Sequence, residues 1–149
     1  MFNSTKTTAG FSLLEFLAVM VLVAVLALIS MPIYDSYIKK ARFQNVIQAV
    51  DSFKPAVAAC AQSTGSTDPT LEGCVNGSNG IPEVLTATGY IAGVTVEAGG
   101  IITGTATNAG GLDGKTYILK PTLQNGFLIW TMDTTGSTCL EKALCDNPV

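Results

Sequence analysis

The sequence contains no histidine. The side chain that most often serves as a general base near neutral pH, and a common metal ligand, is therefore missing. Charge is scarce as well: Asp, Glu, Lys and Arg make up 13% of the 149 residues, with a net charge of −3. Beyond Pro55 only Lys115, Lys120 and Lys142 oppose eight acids. That balance leaves no electrostatic footprint for nucleic acid, so no strong nucleic-acid binding is expected. Aromatics are few, at 7%. Tyr34, Tyr37, Phe43 and Phe53 could form an electron relay, but core packing and an interfacial belt explain their helical spacing more simply. The four cysteines lack the short knuckle of a structural zinc site, with thirteen residues between the first two and five between the last two. Asp113, Asp133, Asp146 and Asn147 show no ordered calcium-ligand spacing and read as solvated loop acids. No metal or cofactor is expected. Nor is there a nucleophile–base constellation, which counts against a membrane-anchored periplasmic enzyme, and no convergent polar set marks an anchored binding module.

What the sequence does have is one long apolar run, residues 11–33. As a helix it would measure about 35 Å, at ~1.5 Å per residue, enough to span a bilayer. One acid, Glu15, sits inside it, where a carboxylate costs about 2.5–3.5 kcal/mol on insertion scales. A secretory signal peptide is the rival reading, with Lys6 as its basic region and a cut after Ala27. Glu15 at the start of the apolar region, and apolar sequence continuing past that cut, both count against it.

The flanking charges and the cysteines disagree on orientation. Lys39, Lys40 and Arg42 follow the run, whereas Lys6 precedes it. The positive-inside rule would therefore keep the C-terminal side in the cytoplasm. Cys60, Cys74, Cys139 and Cys145 all follow the run, in a small Gly-rich region, and an even set there reads as two disulfides in an oxidising compartment. The cysteines carry more weight. Four of them still allow three connectivities.

The helical pattern continues beyond the run. Phe43, Val46, Ile47, Val50, Phe53 and Val57 recur at spacings of three and four, with Gln44, Gln48, Asp51 and Lys54 on other faces. One helix is expected over residues 11–61, apolar all round and then amphipathic. Pro32 and Pro55 each remove an amide, from the carbonyls of Leu28 and Asp51, and should bend or loosen it. Residues 62–92 read as a loop dense in turn residues, with a short helical turn at Pro82-Glu83-Val84-Leu85. Strands are expected at 94–98, 101–106, 116–121 and 127–132. Short turns between them favour an antiparallel meander packed on the amphipathic half of the helix. The expected fold is α+β: a long N-terminal helix carrying a small sheet of about four strands at residues 93–149, like a lollipop. Asn76-Gly77-Ser78 matches a glycosylation pattern that polar loops often produce by chance.

The stretch "GFSLLEFLAVMVLVAVLALISMPIYDSYI", with a basic residue before it, resembles the start of a type IV pilin of the short-leader type. Pro32, Tyr34 and Tyr37 stand where such pilins carry a proline and two tyrosines. The segments "IITGTATN" and "KTYILKPTLQNGFLIWTM" and a Cys near the end are similar to the C-terminal part of the family. One departure is clear: Met132 occupies a place, two residues after Trp130, where relatives often have a Cys. The family's C-terminal bridge would then run from Cys139 to Cys145, and Cys60 with Cys74 would form a second. Nearest-neighbour pairing points the same way.

The resemblance implies residues 1–10 as a leader, 11–33 as the membrane or fibre-core helix and 34–61 as its amphipathic continuation. It implies a prepilin peptidase that cuts after Gly10 and methylates the new amine on Phe11. The subunit would pass from the inner membrane, by way of its assembly machinery, into a helical homopolymer on the cell surface used for attachment or twitching. A minor pilin or a type II secretion pseudopilin is the alternative. Two residues acquire sharper roles in this light. Gly10 could be a flexible residue before a helix, but its place before Phe11 favours a peptidase pocket with no room for a Cβ. Glu15 could be an acid snorkelling from an anchor boundary. It lies four residues from the Phe11 amine, about 6 Å along a helix, and a paired charge there would replace a lone one. Pro32 would mark a segment, roughly 24–32, that loses helical bonds in the fibre.

Overall fold

The computed structural model describes residues 10–64 and 70–146. Lys6 and Asn147 lie outside the described residues, and Pro32 is described by its backbone alone. The chain divides into two units, Met1–Asp35 and Ser36–Val149. Helix α1, Leu13–Ser63, contributes to both.

The helix starts two residues later than expected. Phe11 lies outside it, and the first acceptor is the Ser12 carbonyl, which takes the Phe16 amide at 3.1 Å. At the other end the Cys60 carbonyl accepts from the Thr64 amide and from the Ser63 and Thr64 hydroxyls. Terminal carbonyls have no intrahelical donor, so this cluster closes the end. Neither Pro32 nor Pro55 interrupts the helix. Pro55 lies on the exposed face, where the Asp51 carbonyl it leaves without a partner is open to water.

In the first unit the helix has no cover. All the described side chains from Phe11 to Ile29 are exposed. In the second, α1 buries Phe43, Val46, Val50, Phe53, Val57, Cys60 and Ala61, a stripe at helical period. Against it lies a four-stranded antiparallel sheet in chain order: β1 (Ile91–Glu97), β2 (Ile101–Ala106), β3 (Thr116–Gln124) and β4 (Phe127–Met132). Alternate residues of the strands, Val94 and Val96, Ile102 and Ala106, Leu119 and Met132, face the helix and complete the core. The α+β architecture expected from the sequence is thus present.

Three local readings need correction. Pro82-Glu83-Val84-Leu85 forms no helical turn. Leu85 instead exchanges backbone bonds with Val94 at 3.2 and 3.3 Å, serving edge groups of β1 that would otherwise lack partners. β1 begins at Ile91, not Val94, because Ile91 pairs with Ala106 across an irregularity at Gly93. β3 runs past Pro121 to Gln124. Ile118 directs its carbonyl to the Asp133 amide, on the β4 side. Alternation then turns the backbone nitrogen of Pro121 the other way, where β2 no longer pairs beyond Leu119. A proline is tolerated on such an open edge.

Both disulfides are internal to the second unit. Cys60 is bonded to Cys74 and Cys139 to Cys145. The first ties the end of α1 to the loop that leaves it. Closing that 15-residue segment is worth about 3 kcal/mol in the chain-entropy model.

Gly104 decides how the helix meets the sheet. A Cβ there would lie 2.3 Å from Val50 Cγ2 and 3.0 Å from Val46 Cγ1. The helix thus lies on bare β2 backbone. Gly104→Ala should lower unfolding stability by about 1–3 kcal/mol, the usual cost of overpacking, whereas Thr103→Ala on the other face of β2 should cost little. Denaturant unfolding of the full chain in detergent checks this, and equal midpoints for the two variants would contradict it.

Candidate assembly and processing site

The N-terminal stretch is built as nothing else in the chain is. Phe11, Leu13 and Leu14 are 78%, 79% and 75% exposed, and the large apolar side chains onward to Ile29 are 46% exposed or more. Fully burying one such side chain is worth about 1.5–3 kcal/mol. A monomer in water forgoes that at every position, and contiguous exposed apolar surface on this scale marks contact with lipid or protein. The helix is long and apolar enough to cross a membrane, and none of its most apolar window is buried.

Two polar features punctuate this surface. Glu15 sits in the first turn of α1, where the unbonded amides of the helix start favour an anion. Because Phe11 lies outside the helix, the expected helical spacing to Glu15 does not hold in the uncut chain. Gly10 lies just before, and its nitrogen-to-carbon neighbours need no glycine. A Cβ there meets nothing within 4 Å, and its φ is not in the left-handed range. By contrast Gly100, Gly104, Gly110 and Gly111 are crowded by α1 side chains, Gly100 by Leu71 and Pro121 and Gly110 by Tyr90 as well, and three of the four have positive φ. The fold itself therefore places no demand for glycine at position 10.

The basic residues after the apolar run have local employment. Lys40 pairs with Asp146 at 2.6 Å. Arg42 donates to the Gly110 carbonyl at 3.0 Å and lies over the Tyr90 ring, 5.3 Å from its centre. The Lys39 stem covers Gly111, where a Cβ would stand 2.5 Å from its Cε. All three therefore hold the loop around η1 (Ala109–Gly111) or the C-terminal segment.

That segment is fastened by hydroxyls and ion pairs that sequence reading missed. Where β4 ends, the Ser137 hydroxyl accepts from the Ile118 amide, and the Thr138 hydroxyl from the Thr116 amide, each at 2.9 Å. These side chains continue the pairing along β3. Lys115 pairs with Glu141 at 2.5 Å, and Lys142 with Asp113. Asp133 is no freely solvated loop acid: its carboxylate accepts from the Thr135 and Gly136 amides, from the Thr135 hydroxyl and from Lys120. Asp113, Asp133 and Asp146 each face a different lysine, and among the described residues no cluster of three or more potential metal ligands occurs. Met132, two residues after Trp130, is a buried core residue.

Asn76 also has a structural use. Its carboxamide oxygen accepts from the Val96 amide at 2.5 Å, and its nitrogen donates to the Pro82 carbonyl at 2.9 Å. Both ends of the side chain that would carry a glycan are thus committed to bracing the loop against β1.

An exposed apolar helix followed by a helix-on-sheet head with two disulfides defines a filament subunit of the pilin type. Comparison with known proteins agrees: residues 39–146 match the model of the pilin family of bacterial filament proteins. The chain is 37% identical over 145 residues to the type IV pilus subunit protein TapA of Aeromonas hydrophila, covering 94% of this chain and 99% of the relative. It is 32% identical to the prepilin peptidase-dependent protein D of Escherichia coli K12, over 92% and 91% of the two chains. The fimbrial protein EcpC of Eikenella corrodens is 27% identical over 93% and 90%. The chain belongs to the pilin family, in its type IV class.

Hydrogen bonding by Lys120, then by Thr135 and Gly136, holds the Asp133 carboxyl well below the usual carboxylate range. Lys142 lowers Asp113 in the same way. A depressed folded-state pKa contributes stability above the unfolded value, about 4 for an aspartate, and that contribution is lost as pH falls toward the folded value. Acidification below about pH 4 should therefore destabilise the protein, and Asp133→Asn should shallow that acid limb. Unfolding midpoints measured across the acid range check it; identical slopes in both proteins would show that Asp133 contributes nothing.

Proposed function

This chain is a structural subunit of a pilus fibre, and we propose the following route to it. The precursor sits in the inner membrane through residues 11–33, with residues 1–10 as its leader and the disulfide-bonded head on the oxidising side. A prepilin peptidase cuts after Gly10 and methylates the amine released on Phe11. Inner-membrane assembly machinery then adds the subunit to a helical homopolymer on the cell surface. The role is structural and not catalytic. Use of the fibre in attachment or twitching rests on the family resemblance.

The observation that carries this reading is the uncovered helix, with one acid in its first turn and a glycine before it that the fold does not require. The name of the Escherichia coli relative, which states that protein's dependence on prepilin peptidase, supports the cut. The local employment of Lys39, Lys40 and Arg42 supports a head on the far side of the membrane, since these charges have a use other than fixing topology. The Cys60–Cys74 and Cys139–Cys145 bridges support the same compartment. Glu15 pairs with the Phe11 amine of its own chain or a neighbour and sets subunit register. Pro32 marks the stretch that yields when helices pack in the fibre.

Gly10→Val should leave the precursor uncut in the membrane. Glu15→Val should be cut, since the scissile bond is untouched, and should stay in the membrane, having lost an insertion cost of about 2.5–3.5 kcal/mol. As sole subunit it should enter fibres poorly, because an unpaired amine entering an apolar bundle costs several kcal/mol. The ratio of sheared to cell-associated subunit gives the fibre yield, and mass spectrometry of the N-terminus gives the cleavage state. A mature N-terminus at Leu28 would overturn the processing reading, and normal fibre yield from Glu15→Val alone would overturn the role of the acid.

A further inference from the structure

The turn joining β3 to β4 consists of Asn125 and Gly126, with φ of 50° and 81°. A two-residue hairpin of this hand needs left-handed backbone at both positions, and Asn-Gly supplies it at least cost. The same choice puts a carboxamide directly before a backbone nitrogen with no Cβ beside it. That nitrogen is unhindered toward the Asn125 side chain.

Two other Asn-Gly steps occur, and both are restrained. Asn76 is held at both ends of its side chain, and the Gly77 amide donates to the Ile81 carbonyl at 3.1 Å. The Asn79 carboxamide donates to the Gly73 carbonyl at 3.0 Å. Asn125 is exposed, and among the described residues no hydrogen bond engages its side chain.

The hairpin tip is also the least supported part of the sheet. β2 pairs with β3 only as far as Leu119. From Lys120 opposite Thr131 out to Gln124 opposite Phe127, β3 is hydrogen-bonded to β4 alone. Leu128 and Trp130 still pack on the core, but the outermost pairs form a two-stranded ribbon, which is marginal in water. A cavity of about 210 Å³ lies beside it, lined by Leu123, Gly126, Phe127 and Leu128 of the hairpin and by Ala58 and Ala61 of α1. The tip can open while the core stays folded, which lets the Gly126 nitrogen reach the side chain.

We propose that Asn125 is a self-modifying site. The Gly126 nitrogen bonds to Asn125 Cγ and gives up its proton. The Cγ–Nδ2 bond breaks, and the departing nitrogen takes that proton and leaves as ammonia. A cyclic succinimide remains. Water then opens one of its two C–N bonds, giving aspartate or isoaspartate, with no change of oxidation state. The product places a carboxylate beside Phe127, itself 76% exposed. In the isoaspartate form it adds a main-chain carbon that the two-residue turn does not accommodate.

The test ages the full chain in detergent at mildly alkaline pH and maps its peptides by mass spectrometry, scoring isoaspartate separately. A synthetic peptide spanning residues 121–130 sets the unstructured rate. Asn125 should convert first, about tenfold or more ahead of Asn76 and Asn79, as expected for a site that opens locally against two that need wider unfolding. Asn125→Asp keeps a good turn dipeptide and should abolish the early release of ammonia. Asn125 remaining intact while the peptide converts would overturn the proposal. So would Asn76 or Asn79 keeping pace with it, or an unchanged ammonia release from Asn125→Asp.

Discussion

The second unit depends on one contact, Val46 and Val50 of α1 resting where Gly104 has no side chain. Because the helix occupies that space, β2 must be the strand beneath it. β1 and β3 then fall to either side, and their inward residues Val94, Val96 and Leu119 close around the stripe. A two-layer fold needs the helix and sheet faces to coincide, and the glycine fixes where they do. Gly100 repeats the device two helical turns further along, where a Cβ would meet Val57 Cγ1 at 2.8 Å. β4 lies furthest from this seam and buries only Met132. The hairpin tip follows from the same geometry, since beyond Leu119 β3 has no strand but β4 to pair with.

Charge in the head is spent on closing loops rather than on decorating a surface. Lys40, Lys54, Lys115, Lys120 and Lys142 each pair with a carboxylate. Exposed pairs contribute little singly, about 0–1 kcal/mol, so their use here is better seen as placement. Lys40, Lys115 and Lys142 all reach the C-terminal segment or the loop opposite it, and the Cys139–Cys145 bridge encloses Glu141 and Lys142 and ends one residue before Asp146. In a short sequence with few charges, such pairing gives five of the described lysines a carboxylate partner each.

Much of this was legible from spacing. The buried face of α1 and the positions of β2 and β4 follow from apolar periodicity, and the apolar run from composition. The start of β1 was not legible, because Ile91 joins the sheet by pairing with Ala106 across an irregularity that alternation does not reveal. The extension of β3 past Pro121 depends on which edge its nitrogen faces, a property of register and not of residue type. Nothing in the sequence singled out Gly104; only the helix lying on it makes a glycine necessary there. Asp133 and Asn76 were read from their neighbours as loop residues. Their partners Lys120, Pro82 and Val96 are brought to them by the sheet. At the N-terminus the apolar run was visible, and the roles proposed for Gly10 and Glu15 lie in what surrounds the chain rather than in its own contacts.

The apolar half of α1 raises the question of what distinguishes lipid from a bundle of like helices. Its residues are apolar all round, so no face is marked for either. Lipid tails are as apolar as leucine, and moving such a helix from lipid into a bundle gains little hydrophobic free energy. Packing gains are spread over many small contacts and fix register weakly on a uniform surface. The only charged residue between Phe11 and Ile33 is Glu15. Its cost in lipid, about 2.5–3.5 kcal/mol, is comparable with the difference that has to be made. On the proposed reading, a partner cation at one depth in the bundle offsets that cost at one register and no other. A single acid can then bias the subunit toward the fibre because everything around it is indifferent.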